Sequence, residues 1–199
     1  MSKPQIKPAS NKLNIIRINA GEWRSRIIKF PNADGLRPTP ERVRQTLFNW
    51  LGQDLTGQMC LDLFAGTGVM GFEALSRGAK AVTLVEKSIT AYKALVSNQQ
   101  ALKAEQATII NQDALQFLAG NKQKFTLIFL DPPYNQQWLN KVLPLLTSHL
   151  QPEGLIYVEA EYAIDTAPEF SSDWQVLKQG KAGNVFYHLL KSRHGTSIP

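Results

Sequence analysis

The sequence predicts an α/β fold: a mostly parallel sheet with helices on both faces, closed by a C-terminal antiparallel hairpin and preceded by an N-terminal β-hairpin. Three observations carry that prediction. From residue 58 onward, short β-rich apolar runs alternate strictly with amphipathic stretches of helical length. Such alternation demands crossover connections, and crossovers make neighbouring strands parallel. A glycine-rich turn, AGTGVMG, follows the first strand of the series, where sheets of this kind keep a ligand-binding turn. Near the C-terminus, two β-rich runs flank Gly-Lys-Ala-Gly with no helical stretch between them.

In chain order, residues 1–10 are polar, basic and read as a disordered tail. KLNIIRINAGEWRSRIIKF holds two β-rich runs around the turn signal NAGE, a hairpin over roughly residues 13–30. PNADGLRPTP is a loop. Thr39 is placed to cap the helix that follows, with Pro40 at its first position and Glu41 in its first turn. Val43, Leu47, Trp50 and Leu51 share one face of that helix. QMCLDLF then reads as a strand and GVMGFEALSRG as a helix ending at Gly78. AVTLVE, ATIIN, TLIFLD and GLIYVEA are the next strands. SITAYKALVSNQQAL, ALQFLAG and WLNKVLPLLTSHL are the helices between them. WQVLKQ and NVFYHLL form the last hairpin around GKAG. The expected organisation is a tail (1–10), an N-terminal extension (11–52) and one α/β domain (53–199).

Composition narrows the function. At 199 residues and 43% hydrophobic, the chain suits one sizeable domain with a short extension. The start, MSKPQIKPASNK, lacks the apolar segment of a signal peptide, and no run approaches membrane-spanning length. A soluble cytoplasmic protein is expected. The single Cys60 excludes an internal disulfide and a multi-Cys zinc site. His149, His188 and His194 form no metal-spaced cluster, so no metal is expected. The net charge of +6 is unevenly placed. Residues 1–50 hold ten Lys or Arg against three Asp or Glu, whereas the rest hold twelve against thirteen. A basic face confined to the first quarter suits phosphate backbones. Arg17, Arg24, Arg26 and Lys29 on the hairpin, with Arg37 and Arg42 after it, are the expected nucleic-acid contacts, and Arg44 follows in the same basic stretch.

The glycine turn formally satisfies G-x-G-x-x-G through Gly66, Gly68 and Gly71, and Glu86 ends the next strand where a ribose-binding acid is expected. Alone, this pattern reads as dinucleotide binding. Asp62 opposes that reading, because a pyrophosphate would meet its charge just before the turn. Asp113, at the next strand end, is placed to accept a hydrogen bond from an adenine amino group. Three acids at successive strand ends suit a cationic adenosyl ligand, and S-adenosylmethionine has that character. The expected cofactor contacts are Asp62, Phe64, Gly66, Gly68, Glu86, Asp113 and Ala114.

LIFLDPPYN ends the fourth strand at the same rim. An exocyclic amine on a nucleobase is a poor nucleophile and becomes positive as it attacks a methyl group. A carboxylate and a backbone carbonyl, each accepting one N–H, align the amine and stabilise that charge. Asp131 supplies the first and Pro132 the second, and the prolines place no competing donor there. Tyr134 offers a face for stacking the base, which must be unpaired or flipped out.

DLFAGTG together with DPPY resembles the class I S-adenosylmethionine-dependent methyltransferases that act on exocyclic amines. GEWRSRIIKFPNADGLRPTPERVRQTLFNWL is similar to the N-terminal signature of the RsmD family, bacterial 16S ribosomal RNA guanine-N2 methyltransferases. The resemblance covers nearly the whole chain beyond the tail. It implies a Rossmann-like seven-stranded sheet, cofactor contacts by the glycine turn, Glu86 and Asp113, and methylation of guanine 966 of 16S rRNA, with naked RNA and a partly assembled small subunit both open as the substrate. It implies that residues 53–199 are the methyltransferase domain, and a monomer is expected. One departure is Arg-Ser-Arg at 24–26, where the family often has Arg-Gly-Arg. Two other readings stand beside this one: an amino-methyltransferase of DNA or of another RNA, and a non-catalytic RNA-binding relative. A DNA enzyme usually carries a separate target-recognition domain, and the intact Asp131 and glycine turn argue against loss of catalysis.

Overall fold

The computed structural model describes residues 13–33, 36, 38–134, 137–164 and 173–193. The expected tail and Arg37 lie outside them. The chain opens with an antiparallel hairpin of β1 (Asn14–Arg17) and β2 (Ile27–Phe30), followed by α1 (Glu41–Leu51). The alternating body comprises β3 (Met59–Asp62), α2 (Val69–Ser76), β4 (Ala81–Glu86), α3 (Ile89–Leu102), β5 (Ala107–Asn111), α4 (Ala114–Gly120), β6 (Phe125–Leu130), α5 (Trp138–Leu146) and β7 (Leu150–Ala160). The last two strands are β8 (Trp174–Ala182) and β9 (Val185–Ser192). A 3₁₀ turn over Thr147–His149 joins α5 to β7. No helix of the described residues is long and apolar enough to cross a membrane.

The seven strands β3–β9 form one sheet in the order β5-β4-β3-β6-β7-β9-β8. β3 to β7 pair in parallel, and β9 runs antiparallel to both its neighbours. The chain winds from β3 outward to β5, then returns to place β6 on the other side of β3. That reversal opens a crevice beyond the carboxyl ends of β3 and β6, the ligand position of doubly wound sheets. The glycine turn leaves β3 and Asp131 follows β6, so the topology puts them side by side. Strand alternation divides the core. Cys60, Leu127 and Phe129 face the layer with Val43, Leu47, Phe48, Phe72 and Leu95. Leu61 and Ile128 face the layer with Phe117, Leu139, Val142 and Leu146.

The N-terminal extension is docked onto this body at specific points. In the hairpin, Ile16 pairs with Ile28 and Asn14 with Phe30; Ile28 and Phe30 are buried against the body, while Asn14, Ile15, Arg17, Ile27 and Lys29 are exposed. The Asn98 side chain of α3 mimics another strand: it accepts from Lys29 N at 3.0 Å and donates to Lys29 O at 2.7 Å. At the end of α2, Ser76 O accepts from Glu22 N, and Ser76 Oγ accepts from Trp23 N and donates to Ala20 O. A Cβ on Gly21 would lie 1.8 Å from Ser76 O, which explains glycine there. Ser25, at the departure from Arg-Gly-Arg, has φ +67°, a left-handed conformation that favours glycine.

Three local expectations need correction. Thr39 does not cap α1. Pro40 occupies the cap position with no side-chain cap bond, because the Thr39 hydroxyl is turned toward Asp131. Arg44 is not a surface cation. It is 1% exposed and pairs with Glu73 at 2.5 Å. β7 begins at Leu150, before the predicted GLIYVEA, because a register shift against β6 absorbs Pro152 and Glu153, whose φ is +63°.

Candidate active site

The floor of the crevice is the turn after β3. Gly66 and Gly68 have φ of +52° and +76°, and a Cβ on Gly68 would lie 2.4 Å from Leu95 Cδ2. Glycine is therefore required at Gly68 both for conformation and for space. Glu86 ties the turn to β4: Oε2 accepts from Gly66 N at 2.9 Å and Oε1 accepts from Ser88 N at 2.6 Å. Each oxygen keeps a lone pair for a ligand hydroxyl. Asp62 lies beneath, 4% exposed, accepting from Gly71 N at 3.3 Å. Burial, with a contribution from the Glu86 charge, pushes its carboxyl up to about 7. Asp62 braces the turn from below. Leu36, from the loop before α1, covers the turn from above, 3.3 Å from where a Cβ on Gly66 would stand.

Asp113 caps α4, accepting from Leu115 N at 3.0 Å, and pairs with Lys87 at 3.1 Å. The Lys87 side chain is 75% exposed, a partner that a ligand amino group can replace at little cost. Ala114 is buried at the first position of α4, and Phe64 stands edge-on to Trp138 with ring centres 5.2 Å apart. Acceptors at Glu86 and Asp113 and a close-approach glycine turn fit an adenosyl ligand such as S-adenosylmethionine. Glu86→Ala should weaken S-adenosylmethionine binding by about 1.5–3 kcal/mol, the range for a hydrogen bond to a charged group. Calorimetry checks this, and tight binding of NAD with none of S-adenosylmethionine would contradict the assignment.

Across the crevice, Asp131 is half-buried and Pro132 buried, while Tyr134 is 40% exposed. Burial, then the neighbouring carboxyls of Glu159 and Asp62, hold the Asp131 carboxyl well above the usual range, opposed by the Thr39 hydroxyl. Burial and the Asp131, Glu159 and Glu161 charges likewise raise the Tyr134 phenol, which stays neutral. The arrangement offers a poorly solvated carboxylate, a backbone carbonyl with no adjacent N–H, and an accessible ring. Sequence reasoning missed Thr39 and Glu159 here. Glu159 had a usable signal: it ends an apolar strand at the rim already marked by Asp62, Glu86 and Asp131.

The basic residues divide. Arg24, Lys29 and Arg42 are exposed. Arg17 is exposed and donates to Ser25 O at 3.0 Å. Arg26 donates to the carbonyls of Leu102 and Ala101, at 3.3 and 2.5 Å, and so caps the end of α3.

Comparison with known proteins places this architecture. The family model described as Conserved hypothetical protein 95 matches residues 16–191. Ribosomal RNA small subunit methyltransferase D of Haemophilus influenzae is 44% identical over 198 residues, covering 96% of this chain and all of that protein. The protein of the same name from Escherichia coli K12 is 40% identical, covering 92% of this chain and 93% of that one. The solved structure of yhhF from Escherichia coli aligns with a TM-score of 0.79 at 40% identity, covering 90% of this chain and 98% of that one. With that identity extending over nearly its whole length, the chain belongs to the RsmD family, the ribosomal RNA small subunit methyltransferase D proteins.

Proposed function

We propose that this protein transfers a methyl group from S-adenosylmethionine to the exocyclic N2 of a guanine in small-subunit ribosomal RNA, guanine 966 of the 16S molecule. The observation that carries the reading is the juxtaposition of the β3 glycine turn with Asp131-Pro132-Pro133-Tyr134 after β6, across a single parallel strand pair. When bound, S-adenosylmethionine supplies an electrophilic methyl group on a positive sulfur. The protein does the rest. Tyr134 stacks the flipped base. Asp131 and the Pro132 carbonyl each accept one N–H, turning the nitrogen lone pair toward the cofactor side of the crevice. Asp131 stabilises the positive charge that develops on nitrogen and takes its proton. Burial of Asp131 strengthens that interaction. Mass mapping of RNA methylated in vitro tests the assignment: a single methyl on N2 of guanine 966 supports it, and modification of another nucleotide or of DNA alone overturns it.

Residues 11–52 act as the RNA-contacting extension and 53–199 as the methyltransferase domain. The reading makes the enzyme a cytoplasmic monomer acting on the RNA, naked or in a partly assembled subunit. Support for the RNA face comes from the outward set of Arg17, Arg24 and Lys29 on the hairpin and Arg42 on α1. Replacing Arg17, Arg24 and Lys29 with neutral residues should flatten the slope of log K against log salt by roughly two, at about 0.7 per single-strand phosphate. Cofactor affinity should hold. An unchanged slope would place the RNA elsewhere. Arg26 is left out of that variant, because its loss would uncap α3.

A further inference from the structure

Glu159, 2% exposed at the end of β7, has no part in the mechanism above. β6 and β7 are parallel with Leu130 paired to Val158, so Asp131 and Glu159, one residue on, stand side by side at the rim. Tyr157 Oη donates to Glu159 Oε1 at 2.9 Å. The buried Thr39 hydroxyl stands against both carboxyls: it hydrogen-bonds Asp131 Oδ2 at 3.5 Å, and its donor character also pulls the Glu159 carboxyl down, against burial. A hydroxyl has one proton to give and cannot serve two carboxylates at once. Two adjacent ionised carboxylates in a poorly hydrated site also repel each other. One proton shared by the pair removes both conflicts. With that proton on Glu159, Glu159 donates to Thr39 and Thr39 donates to Asp131.

We propose that Glu159 is a positioning residue for methyl transfer: its carboxyl stays protonated and, through Thr39, keeps Asp131 ionised and oriented toward the target amine. The inference rests on the amine-methylation reading. It also gives the released proton a destination. As the C–N bond forms and the C–S bond breaks, the amine N–H breaks toward Asp131, the ionised member of the chain. Both carboxyls are then neutral until one proton passes to solvent as product leaves. Burial raises both Asp131 and Glu159, against donation from Tyr157 and Thr39 at Glu159 and from Thr39 at Asp131. The other ionisable groups facing the pair, Asp62 on β3, Tyr134 after β6, Glu161 after β7 and Tyr187 on β9, are acids or phenols.

Glu159→Gln is the decisive variant, because its amide copies a protonated carboxyl: N–H toward Thr39, carbonyl toward Tyr157. Difference infrared spectroscopy of the enzyme without RNA should show a neutral carboxyl band at neutral pH that Glu159→Gln removes. The kcat of Glu159→Gln should stay near wild type at neutral pH, and the alkaline fall expected of the wild type should disappear. Thr39→Val should lower kcat roughly tenfold, one hydrogen bond to a charged group, with KM for RNA unchanged, and Thr39→Ser should restore it. A Glu159→Gln enzyme as inactive as Asp131→Ala would make Glu159 an ionised contact and overturn the proposal. So would a wild type lacking the band, or a Glu159→Gln pH profile that overlays the wild type. The infrared result is independent of substrate, so it separates failure of this inference from failure of the amine reading.

Discussion

Asp131→Ala is expected to cut single-turnover methyl transfer by roughly 10²–10³-fold, the scale for losing one partner that acts in the transition state. S-adenosylmethionine affinity should hardly change, because Asp131 stands across the crevice from Glu86 and Asp113, the acceptors that fit the cofactor. The contrast separates a catalytic carboxylate from a structural one. Asp131→Asn should be nearly as slow, since an amide of the same size carries no charge to meet the developing cation. The pH dependence has a defined sign. Burial, above all, raises the Asp131 carboxyl. Only the ionised form accepts an N–H, so the rate should rise with pH along an acidic limb displaced above the ordinary carboxylate range. Removing the carboxylate should erase that limb. Rapid-quench measurement on undermethylated small-subunit RNA, repeated across pH, checks both. A near-normal rate for Asp131→Ala would remove the carboxylate from the mechanism.

What could be read from the sequence is what local chemistry decides. β4, β5 and α4 have the bounds that AVTLVE, ATIIN and ALQFLAG suggested, because turn and cap residues punctuate them. Ser88 and Asp113 accept backbone N–H groups at the starts of α3 and α4, as short polar residues before apolar helices do. What could not be read depends on groups distant in the chain. Thr-Pro-Glu at 39–41 has the local form of a helix start, yet the Thr39 hydroxyl serves Asp131, 92 residues away. Arg44 sits among surface-seeking cations in the sequence and becomes a core residue only because Glu73 comes from another helix. Asp62 read as an acid facing the ligand, and the structure shows that it also braces the turn through Gly71 N. The strand ends and their acids were legible, but which acid faces the crevice, which braces it and which shares a proton follow from packing alone.

The largest stability effect should come from Glu73. Its carboxylate, buried in α2, pairs with Arg44 of α1 at 2.5 Å and with Arg77 at 2.7 Å, and all three side chains are at most 3% exposed. Burial lowers the Arg44 guanidinium against the pull of Glu73. Arg77 also lies over the Phe48 ring, 4.3 Å from its centre, and hydrogen-bonds Gln53. Two buried cations thus depend on one anion. Glu73→Ala strands both, and breaking a buried pair from one side costs about 3–5 kcal/mol. For a chain of this size that corresponds to a fall of roughly 10 °C in the melting temperature. Arg44→Met combined with Glu73→Leu should cost less than Glu73→Ala alone, because each apolar replacement removes a charge that needs compensation. Thermal unfolding of the single and double variants checks the order. The network also fixes α1, and Thr39 lies two residues before it. Glu73→Ala should therefore slow methyl transfer even at temperatures where the body remains folded, with S-adenosylmethionine binding less affected than turnover. Equal stability of Glu73→Ala and wild type would show that α1 is held by its apolar face alone.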